Sequence, residues 1–277
     1  MATQTLPVPV PALGAEEPVV VFDDVSIGFD GKPVLKNISF RVAVGETRIL
    51  LGPAGVGKSV LLKLANGLLR PDSGRITVFG QEVSSMPERD LFKLRSRIGM
   101  VFQESALFDS LTVRDNVAYR LLEDKVPQEE IDARVSQALR FVELEHTIDM
   151  FPAQLSGGMR RRVAIARAVI SHPDLILYDS PTGGLDPVTS TTIIDLVMKQ
   201  RDVYHTSSLL VTHRLQDAYT LATHTFNQAT NQAEPSSGDE ATLHTSFLML
   251  RDGELIFDGS THDLVTSDDP FIKEYLS

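Results

Sequence analysis

The sequence predicts an α/β fold in which a phosphate-binding loop follows a buried strand. Three observations lead to this fold class. Several short runs are apolar at almost every position, as expected for parallel strands buried on both faces. Helical patterns separate these runs, and alternation of strand and helix is typical of α/β proteins. The stretch GPAGVGKS at 52–59 fits a phosphate-binding loop, with a predicted strand before it and a predicted helix after it.

In the first half of the chain, strands and one helix precede a long helical region. Strands are predicted at 19–29, 34–42, 47–52, 74–80 and 98–103. The helix covers 57–69, where apolar residues recur three and four apart. From about 112 to 170 the pattern is almost wholly helical, and 128–144 is the clearest amphipathic segment.

The second half predicts further parallel strands and a terminal hairpin. Apolar runs at 174–180 and 207–213 are predicted to be buried strands, with a helix at 187–201 between them. The segment 223–246 is rich in Asn, Gln, Thr and Ser, so we predict a long flexible loop there. A hairpin at 247–260 is predicted to turn at its Asp-Gly pair, and two short helices follow.

Composition limits the classes of partner. The 277 residues include 26 Lys and Arg against 37 Asp and Glu, a formal net charge of −11. Broad nucleic-acid binding needs a basic face, so we predict no nucleic-acid partner. The absence of Cys excludes disulfides and thiolate zinc sites. Residues 1–17 are rich in proline and are predicted to form a disordered leader rather than a secretory signal. Because no apolar run is long enough to span a membrane, we expect any membrane role to come through a partner.

The glycine-rich loop carries the first candidate site. It comprises Gly52, Pro53, Ala54, Gly55, Val56, Gly57, Lys58 and Ser59. Glycines let backbone N–H groups curl around phosphates, and the helix N-terminus adds positive potential. Lys58 can reach the β- and γ-phosphates, and the Ser59 hydroxyl can ligate Mg²⁺. The alternative is a chance glycine-rich turn, against which the strand–loop–helix context argues.

Two further stretches suggest binding chemistry. Asp179 ends a buried apolar strand, where its carboxylate would hold Mg²⁺ directly or through water; the alternative is a capping aspartate.

Ser156, Gly157 and Gly158 are predicted at a helix start, offering a hydroxyl and amides to an anion. Three arginines at 160–162 follow, and we expect at least two of them to form a solvated basic face.

The chain resembles the nucleotide-binding subunits of ABC transporters over about residues 18–277. The motifs occur in order: the phosphate loop at 52–59, Gln103 in VFQES, the signature segment LSGGM at 155–159, Asp179, GGLD at 183–186 and His213 in LLVTH. The resemblance implies a single nucleotide-binding domain. Its α/β phosphate-loop core would be RecA-like, with an antiparallel β subdomain and an inserted helical subdomain at about 104–170.

The resemblance also implies ATP and Mg²⁺ as ligands and a role for each motif. Phe29 would stack on adenine; the alternative is a core phenylalanine. Gln103 would contact Mg²⁺ and the attacking water, and His213 the γ-phosphate. Asp186 would interact across a dimer interface. Members of this family act as head-to-tail dimers in which the signature of one chain closes the phosphate loop of the other, so a homodimer is expected.

Other features resemble the ATPases of Mla-type, MCE-associated lipid transporters. They are Met159 at the end of the signature with arginines after it, the stretch ALFDSLTVRDNVAY and the ending SDDPFIKEYL. This resemblance implies an integral-membrane permease and an MCE-domain lipid-binding protein as partners. It also implies a cytoplasmic protein held on the inner face of the membrane through the permease.

One position departs from the family. The catalytic carboxylate that follows the Mg²⁺ aspartate is replaced by Ser180. Loss of a positioned acid–base group typically costs about 10²–10⁴ in rate, so we predict slow turnover. Glu104 is a candidate replacement base. The alternative is that Glu104 is an exposed loop residue without a catalytic role. The open alternatives are a non-hydrolysing switch or degenerate half of a heterodimer, another ABC importer, and a soluble ABC protein without a transporter.

Overall fold

The computed structural model describes residues 17–236 and 244–277. All but the last residue of the predicted leader, and residues 237–243 of the predicted loop, lie outside the described residues. The first elements in chain order are β1 (Val20–Phe29), β2 (Lys32–Val42), β3 (Thr47–Leu51), α1 (Lys58–Ala65), β4 (Ser73–Val78), β5 (Gln81–Glu82), α2 (Glu88–Arg95) and β6 (Ile98–Val101). They are followed by α3 (Val113–Glu123), α4 (Gln128–Phe141), α5 (Gly157–Val169), β7 (Leu175–Asp179), α6 (Pro187–Tyr204), β8 (Ser207–Val211) and α7 (Leu215–Thr223). The last are β9 (His224–Asn227), β10 (Gln232–Pro235), β11 (Thr245–Arg251), β12 (Glu254–Ser260), α8 (Thr261–Val265) and α9 (Pro270–Leu276).

The larger sheet has six strands in the order β12-β11-β3-β8-β7-β6. Pairing is parallel from β11 through to β6, and only β12 is antiparallel. Every residue of β3, β7 and β8 is buried. That explains why their sequences are apolar runs without alternation, since helices or a second sheet cover both faces. The predicted α/β class is confirmed.

A second, antiparallel sheet has the order β2-β1-β4-β5. Its inner face and the helices α1 and α2 form one hydrophobic cluster with one side of the larger sheet, whereas α3 to α7 form the other cluster. The larger sheet is therefore the middle layer of the molecule. This arrangement leaves the carboxyl ends of the parallel strands as the edge at which the loops with the candidate motifs meet.

Helix α1 ends earlier than the predicted 57–69 because a glycine terminates it. Gly67 adopts a left-handed φ of 63° directly after the helix. Its N–H donates to the Leu64 carbonyl at 3.0 Å, and the Leu68 N–H donates to the Lys63 carbonyl at 2.8 Å. These two bonds form a Schellman motif, which satisfies the last carbonyls of a helix and turns the chain away.

The predicted helical region 112–170 contains three helices with irregular chain between them. Helices α3 and α4 are joined by a short connection, and two 3₁₀ turns, Glu145–Thr147 and Pro152–Gln154, lie between α4 and α5. Thr112 begins α3 by accepting a hydrogen bond from the Asp115 N–H. Among the described residues, no helix is long and apolar enough to cross a membrane.

The prediction of a structureless loop over 223–246 is wrong for its first half. Strands β9 and β10 pair there as an antiparallel hairpin, and β11 begins at Thr245. Side chains of α6 hold the hairpin: Arg201 donates to the His224 carbonyl at 2.7 Å, and Asp202 accepts from the Phe226 N–H at 2.7 Å. The Phe226 ring is buried against the core. A polar sequence therefore forms strands because tertiary contacts anchor it.

Candidate functional site

Many of the candidate residues, although not Phe29, Asp186 or the signature segment, lie where four adjacent parallel strands end. The phosphate loop follows β3, and His213 follows β8. Asp179 ends β7 with Ser180 directly after it, and Gln103 follows β6. Because β3, β8, β7 and β6 are neighbours in the sheet, their loops converge at one edge. Ligands of open α/β sheets bind outside the carboxyl ends of the strands.

The glycines of the phosphate loop are required by its backbone. Gly52 has φ 140°, and a Cβ there would lie 2.5 Å from the Leu250 carbonyl oxygen. Gly57 has φ 101°, and a Cβ there would lie 2.8 Å from Leu35 Cδ2. At Gly55 the space beside the backbone is open. The loop is thus tightly packed at both ends and has room at its middle, as a cradle for phosphates needs.

Lys58 lies curled over this loop. Its Nζ donates to the carbonyls of Gly52 at 2.7 Å and Pro53 at 2.6 Å, and the residue is only 8% exposed. Burial lowers the pKa of Lys58 from its ordinary value, and the negative charge of Asp179 opposes that shift. A buried cation whose hydrogen bonds, among the described residues, all go to carbonyls gains strongly from an anion placed in the loop.

Ser59 and Asp179 form the candidate Mg²⁺ site. The Ser59 hydroxyl donates to Asp179 Oδ1 at 3.0 Å, which brings a hydroxyl and a carboxylate together. Hard oxygen donors of this kind fit Mg²⁺, which is usually held by one or two protein oxygens, with phosphates and water completing the octahedron. The described residues contain no cluster of three or more His, Asp or Glu that could hold a metal ion.

Ser180 sits in a tight turn at the end of β7. It is 7% exposed and has a left-handed φ of 47°, a conformation that costs of order 1 kcal/mol for a residue with a side chain. Its N–H donates to the Val211 carbonyl at 2.9 Å, and its carbonyl accepts from the Gly183 N–H at 2.9 Å. A Cβ at Gly183 would lie 3.7 Å from Gln103 Nε2. The turn therefore brings Ser180 and Gln103 to the same small region.

Gln103, Glu104 and His213 are all exposed at this edge. Glu104 lies close enough to Arg161 for its charge to act on the guanidinium, as does that of Asp179. Glu104 therefore lies within electrostatic reach of Arg161. No hydrogen bond among the described residues joins Glu104 to Ser180. Phe29, at the end of β1, is 43% exposed, so it is not the core phenylalanine that was the alternative.

The signature segment begins α5. Ser156 caps the helix by accepting from the Met159 N–H at 3.2 Å, and Gly157 beside it is exposed. A Cβ at Gly158 would lie 2.4 Å from Thr189 Cγ2, so this glycine lets α5 approach the start of α6. Among the described residues, no hydrogen bond or ion pair joins Ser156 to the phosphate loop of the same chain.

Asp186 caps α6 on the same surface. Its carboxylate accepts from the Thr189 N–H at 3.0 Å and from the Thr189 hydroxyl at 2.6 Å. The hydrogen bond from the Thr189 hydroxyl, followed by that from the Thr189 N–H, lowers the pKa of Asp186, and the residue is exposed. It is therefore an ionised group available to a partner.

The expectation that at least two of the three arginines form a solvated face is wrong. Only Arg160 is exposed; Arg162 is half-buried and Arg161 is 5% exposed. Arg160, Arg162 and Arg161 each donate to a backbone carbonyl, of Leu155, Val142 and Phe102 respectively. Spacing does not single out Arg161, because each of the three arginines lies three and four residues before buried positions of α5.

Sequence reasoning also missed a buried network beside the Ser180 turn. The Thr182 hydroxyl donates to Asp217, and Arg214 lies 3.5 Å from the same carboxylate. Burial raises the pKa of Asp217, while the bond from Thr182 opposes the shift. Tyr275 of α9 was missed as well: its hydroxyl accepts from the Gly52 N–H at 3.3 Å and donates to the Gly52 carbonyl at 3.2 Å. The sequence signals no such contact, because 223 residues separate the partners.

Comparison with known proteins identifies the family. The model of the family described as ABC transporter matches residues 35–183. The chain belongs to the ABC transporter family. The family match covers the phosphate loop, the signature segment and Asp179. The phosphate loop and Asp179 lie at one edge of the larger sheet, and the signature segment begins α5.

Three relatives within the ABC transporter family are informative. This chain is 42% identical to the methionine import ATP-binding protein MetN 2 of Bacillus cereus over 201 residues. That match covers 71% of this chain and 59% of MetN 2. The chain is 36% identical to TRIGALACTOSYLDIACYLGLYCEROL 3, chloroplastic, of Arabidopsis thaliana, over 92% of this chain and 72% of that protein. It is 32% identical to the intermembrane phospholipid transport system ATP-binding protein MlaF of Escherichia coli, over 91% of this chain and 86% of that protein.

Solved structures agree with the family. The dimeric ATP-binding cassette MJ0796, in a post-hydrolysis state bound to ADP and Pi, superposes with a TM-score of 0.73 at 28% identity. That match covers 87% of this chain and 98% of the cassette. CbiO1 from Clostridium perfringens, part of the ABC transporter complex cbiONQ, also gives a TM-score of 0.73 at 28% identity, covering 94% of each chain.

Proposed function

We propose that this chain is the ATP-binding subunit of a membrane transporter, which binds and hydrolyses MgATP to drive a permease. One observation carries the proposal: the Ser59 hydroxyl and the Asp179 carboxylate meet at 3.0 Å, beside a buried lysine at the end of a glycine cradle. A structural role alone gives no reason to bury Lys58 against backbone carbonyls. Phosphates supply the missing anion.

In this proposal the loop amides bind the α- and β-phosphates, and Lys58 moves from its two carbonyls to the β- and γ-phosphates. Ser59 and Asp179 hold the metal, and Mg²⁺ when bound neutralises charge that develops on the phosphates. Exposed Phe29 stacks on the adenine ring. Gln103 and His213 orient the attacking water, because both follow strands that end at this edge.

The composite site is completed by a second copy of the chain. Ser156 and Asp186 are exposed, and Val188 beside Asp186 is an exposed apolar residue. An uncovered hydroxyl and amides at a helix start are suited to an anion, yet they have no bond to the loop of their own chain among the residues described. The dimeric state of the related MJ0796 cassette supports a head-to-tail homodimer in which each signature closes the other loop.

A cleft between the helical region and β6 is suited to the permease. Its volume is about 310 Å³, and its lining includes Phe102, Phe108, Tyr119 and Arg167. The rings of Phe108 and Tyr119 lie 4.7 Å apart, and both residues are exposed. Exposed aromatic residues beside a basic group are typical of protein interfaces, so a cytoplasmic helix of the permease is the proposed occupant.

Lipid is the proposed cargo. The relatives whose names refer to lipids match over 91% and 92% of this chain, whereas the methionine-import protein matches over 71%. On this basis the subunit lies on the cytoplasmic face of a membrane, with a permease and an MCE-domain protein as partners. The higher identity to the methionine importer, 42%, supports the second candidate, the ATPase of an importer for a small solute.

Nucleotide binding is tested by Lys58→Ala, with Lys63→Ala as the matched control. Lys63 is an exposed lysine of the same helix. We expect the wild type and the control to bind MgATP in isothermal titration, and Lys58→Ala to lose binding because no other cation of the described chain is placed for the phosphates. Equal affinity in all three proteins refutes the assignment of the loop. Reconstitution with lipid or methionine as cargo then separates the two transport candidates.

Ser180 motivates an alternative activity for the same site, a nucleotide-dependent switch without hydrolysis. A serine at this position lacks a carboxylate to take the proton of the attacking water. Under this alternative the complex binds MgATP and dimerises but releases no phosphate. Phosphate release by the complex with its permease distinguishes the switch from the slow ATPase that we favour.

A further inference from the structure

Arg161 joins the loop that contains Gln103 to the turn that contains Ser180. One of its terminal nitrogens donates to the Phe102 carbonyl at 2.8 Å, and the other donates to the Gly183 carbonyl at 3.3 Å. The first carbonyl belongs to the peptide bond that leads into Gln103. The second belongs to the turn that Ser180 begins, since the Gly183 N–H donates to the Ser180 carbonyl. A single guanidinium therefore links the backbone beside Gln103 to the turn that contains Ser180.

The burial of this arginine calls for a reason beyond stability. Arg161 is 5% exposed, and its Nε has no hydrogen-bond partner among the described residues. No carboxylate of the described part of the chain forms a salt bridge with it, although the charges of Glu104 and Asp179 act on it from further away. Burying a cation without a close counter-ion is costly. An apolar residue at this place on α5 would avoid that cost but could not hold two carbonyls.

We propose that Arg161 is a positioning residue for hydrolysis, which holds Gln103 and the Ser180 turn at the separation that places water against the γ-phosphate. The proposal rests on the ATPase function proposed above. It gives a reason why this site can work without the usual carboxylate: much of phosphoryl-transfer catalysis is positioning and charge neutralisation. The fork of arginine is needed because two acceptors on different loops must be held at once.

The prediction is a change in kcat with little change in KM. Arg161→Gln removes the second donor group, so we expect kcat for ATP to fall about 10²-fold, the cost of displacing a reacting group by about 1 Å. The KM for ATP should change less than about threefold, because Arg161 has no hydrogen bond to the phosphate loop among the described residues and acts on Asp179 only through its charge. Arg161→Lys retains the charge but not the fork, and its kcat should fall by about tenfold.

The experiment measures phosphate release by the complex with its permease at several ATP concentrations, together with thermal unfolding. The matched control is Arg162→Gln, since Arg162 is a half-buried arginine of the same helix that also donates to a backbone carbonyl, that of Val142 at 3.0 Å. Loss of kcat in the Arg161 variants, with KM and the control preserved, supports the proposal. Two results would overturn the proposal. If Arg161→Gln loses ATP binding and thermal stability together, the role of Arg161 is structural. If the kcat of Arg161→Gln equals that of the control, Arg161 does not contribute to hydrolysis. A wild-type complex that binds ATP without releasing phosphate overturns the ATPase function itself, and this inference with it.

Discussion

A carboxylate at position 180 should accelerate ATP hydrolysis. The change Ser180→Glu places a candidate base at the end of β7, next to Asp179. The longer side chain would lie near Gly183, which carries no side chain of its own; an added Cβ there would already lie 3.5 Å from Ser180 Cβ and 3.7 Å from Gln103 Nε2. The backbone N–H of residue 180 donates to the Val211 carbonyl whatever the side chain is. The left-handed φ of this position is about equally unfavourable for serine and for glutamate. We therefore expect the fold to accept the change.

The size of the gain follows from two opposing effects. A positioned general base contributes about 10²–10⁴ in rate, or about 2.7–5.4 kcal/mol at about 1.36 kcal/mol per factor of ten. A glutamate here must ionise in a buried position beside Asp179, which raises its pKa and reduces the ionised fraction. Lys58 and Arg161 lie close enough to interact with Asp179 and limit that effect. We therefore expect the lower end, a gain of about 10²-fold in kcat.

The assay is phosphate release by the complex of wild type, Ser180→Glu, Ser180→Gln and Glu104→Gln. Ser180→Gln matches the volume of glutamate without its basicity, so it should not reproduce the gain. A large loss in Glu104→Gln alone would make Glu104 the substitute base. Fast wild-type turnover that neither Ser180→Glu nor Glu104→Gln alters would refute both accounts, and absent turnover that Ser180→Glu restores would favour the nucleotide switch.

Three further predictions concern assembly and stability. Ser156→Arg should block ATP-dependent dimerisation in light scattering while monomer binding of ATP persists, because the interface is isologous and one substitution damages both sites; wild-type dimerisation would refute the composite site. Phe226→Ala should lower the free energy of unfolding by about 3 kcal/mol in urea titration, and a loss below about 1 kcal/mol would show that the β9–β10 hairpin is not anchored by this ring. Burial raises the folded pKa of Asp217 above its ordinary 3.8, so the folded state binds this proton more tightly and stability falls as pH rises from below 3.8 through the folded pKa. In Asp217→Asn that part of the fall should disappear from the pH profile of unfolding, and an unchanged profile would contradict the shift.

The parts of this fold that sequence predicts are those set by local pattern. Strands β3, β7 and β8 are apolar throughout because both faces are covered, and that pattern is legible without a structure. The phosphate loop can be recognised in the sequence because its backbone requires glycine at fixed positions. Gly52 and Gly57 have positive φ and no room for a Cβ. The Asp252-Gly253 turn follows the same logic, with φ of 51° and 80°.

The parts that sequence did not predict depend on contacts between distant segments. The β9–β10 hairpin has a polar sequence, and bonds from Arg201 and Asp202 of α6 hold it as a strand pair. Arg161 looked like one of three surface arginines because its acceptors, on Phe102 and Gly183, lie 59 and 22 residues away. Propensity describes a segment, whereas these features belong to pairs of segments.

The close approach of α5 and α6 at Gly158 has a consequence for how two subunits meet. With Thr189 against the bare backbone of Gly158, and Asp186 bound to that same Thr189, the signature serine and the aspartate are mounted on one rigid support. In the proposed dimer a partner therefore encounters them as a bivalent ligand. Once either contact forms, the other is already at high effective concentration, so the two engage and release as a unit. A methyl group at position 158, which would push the helices apart, should therefore weaken the dimer by more than the loss of either contact alone.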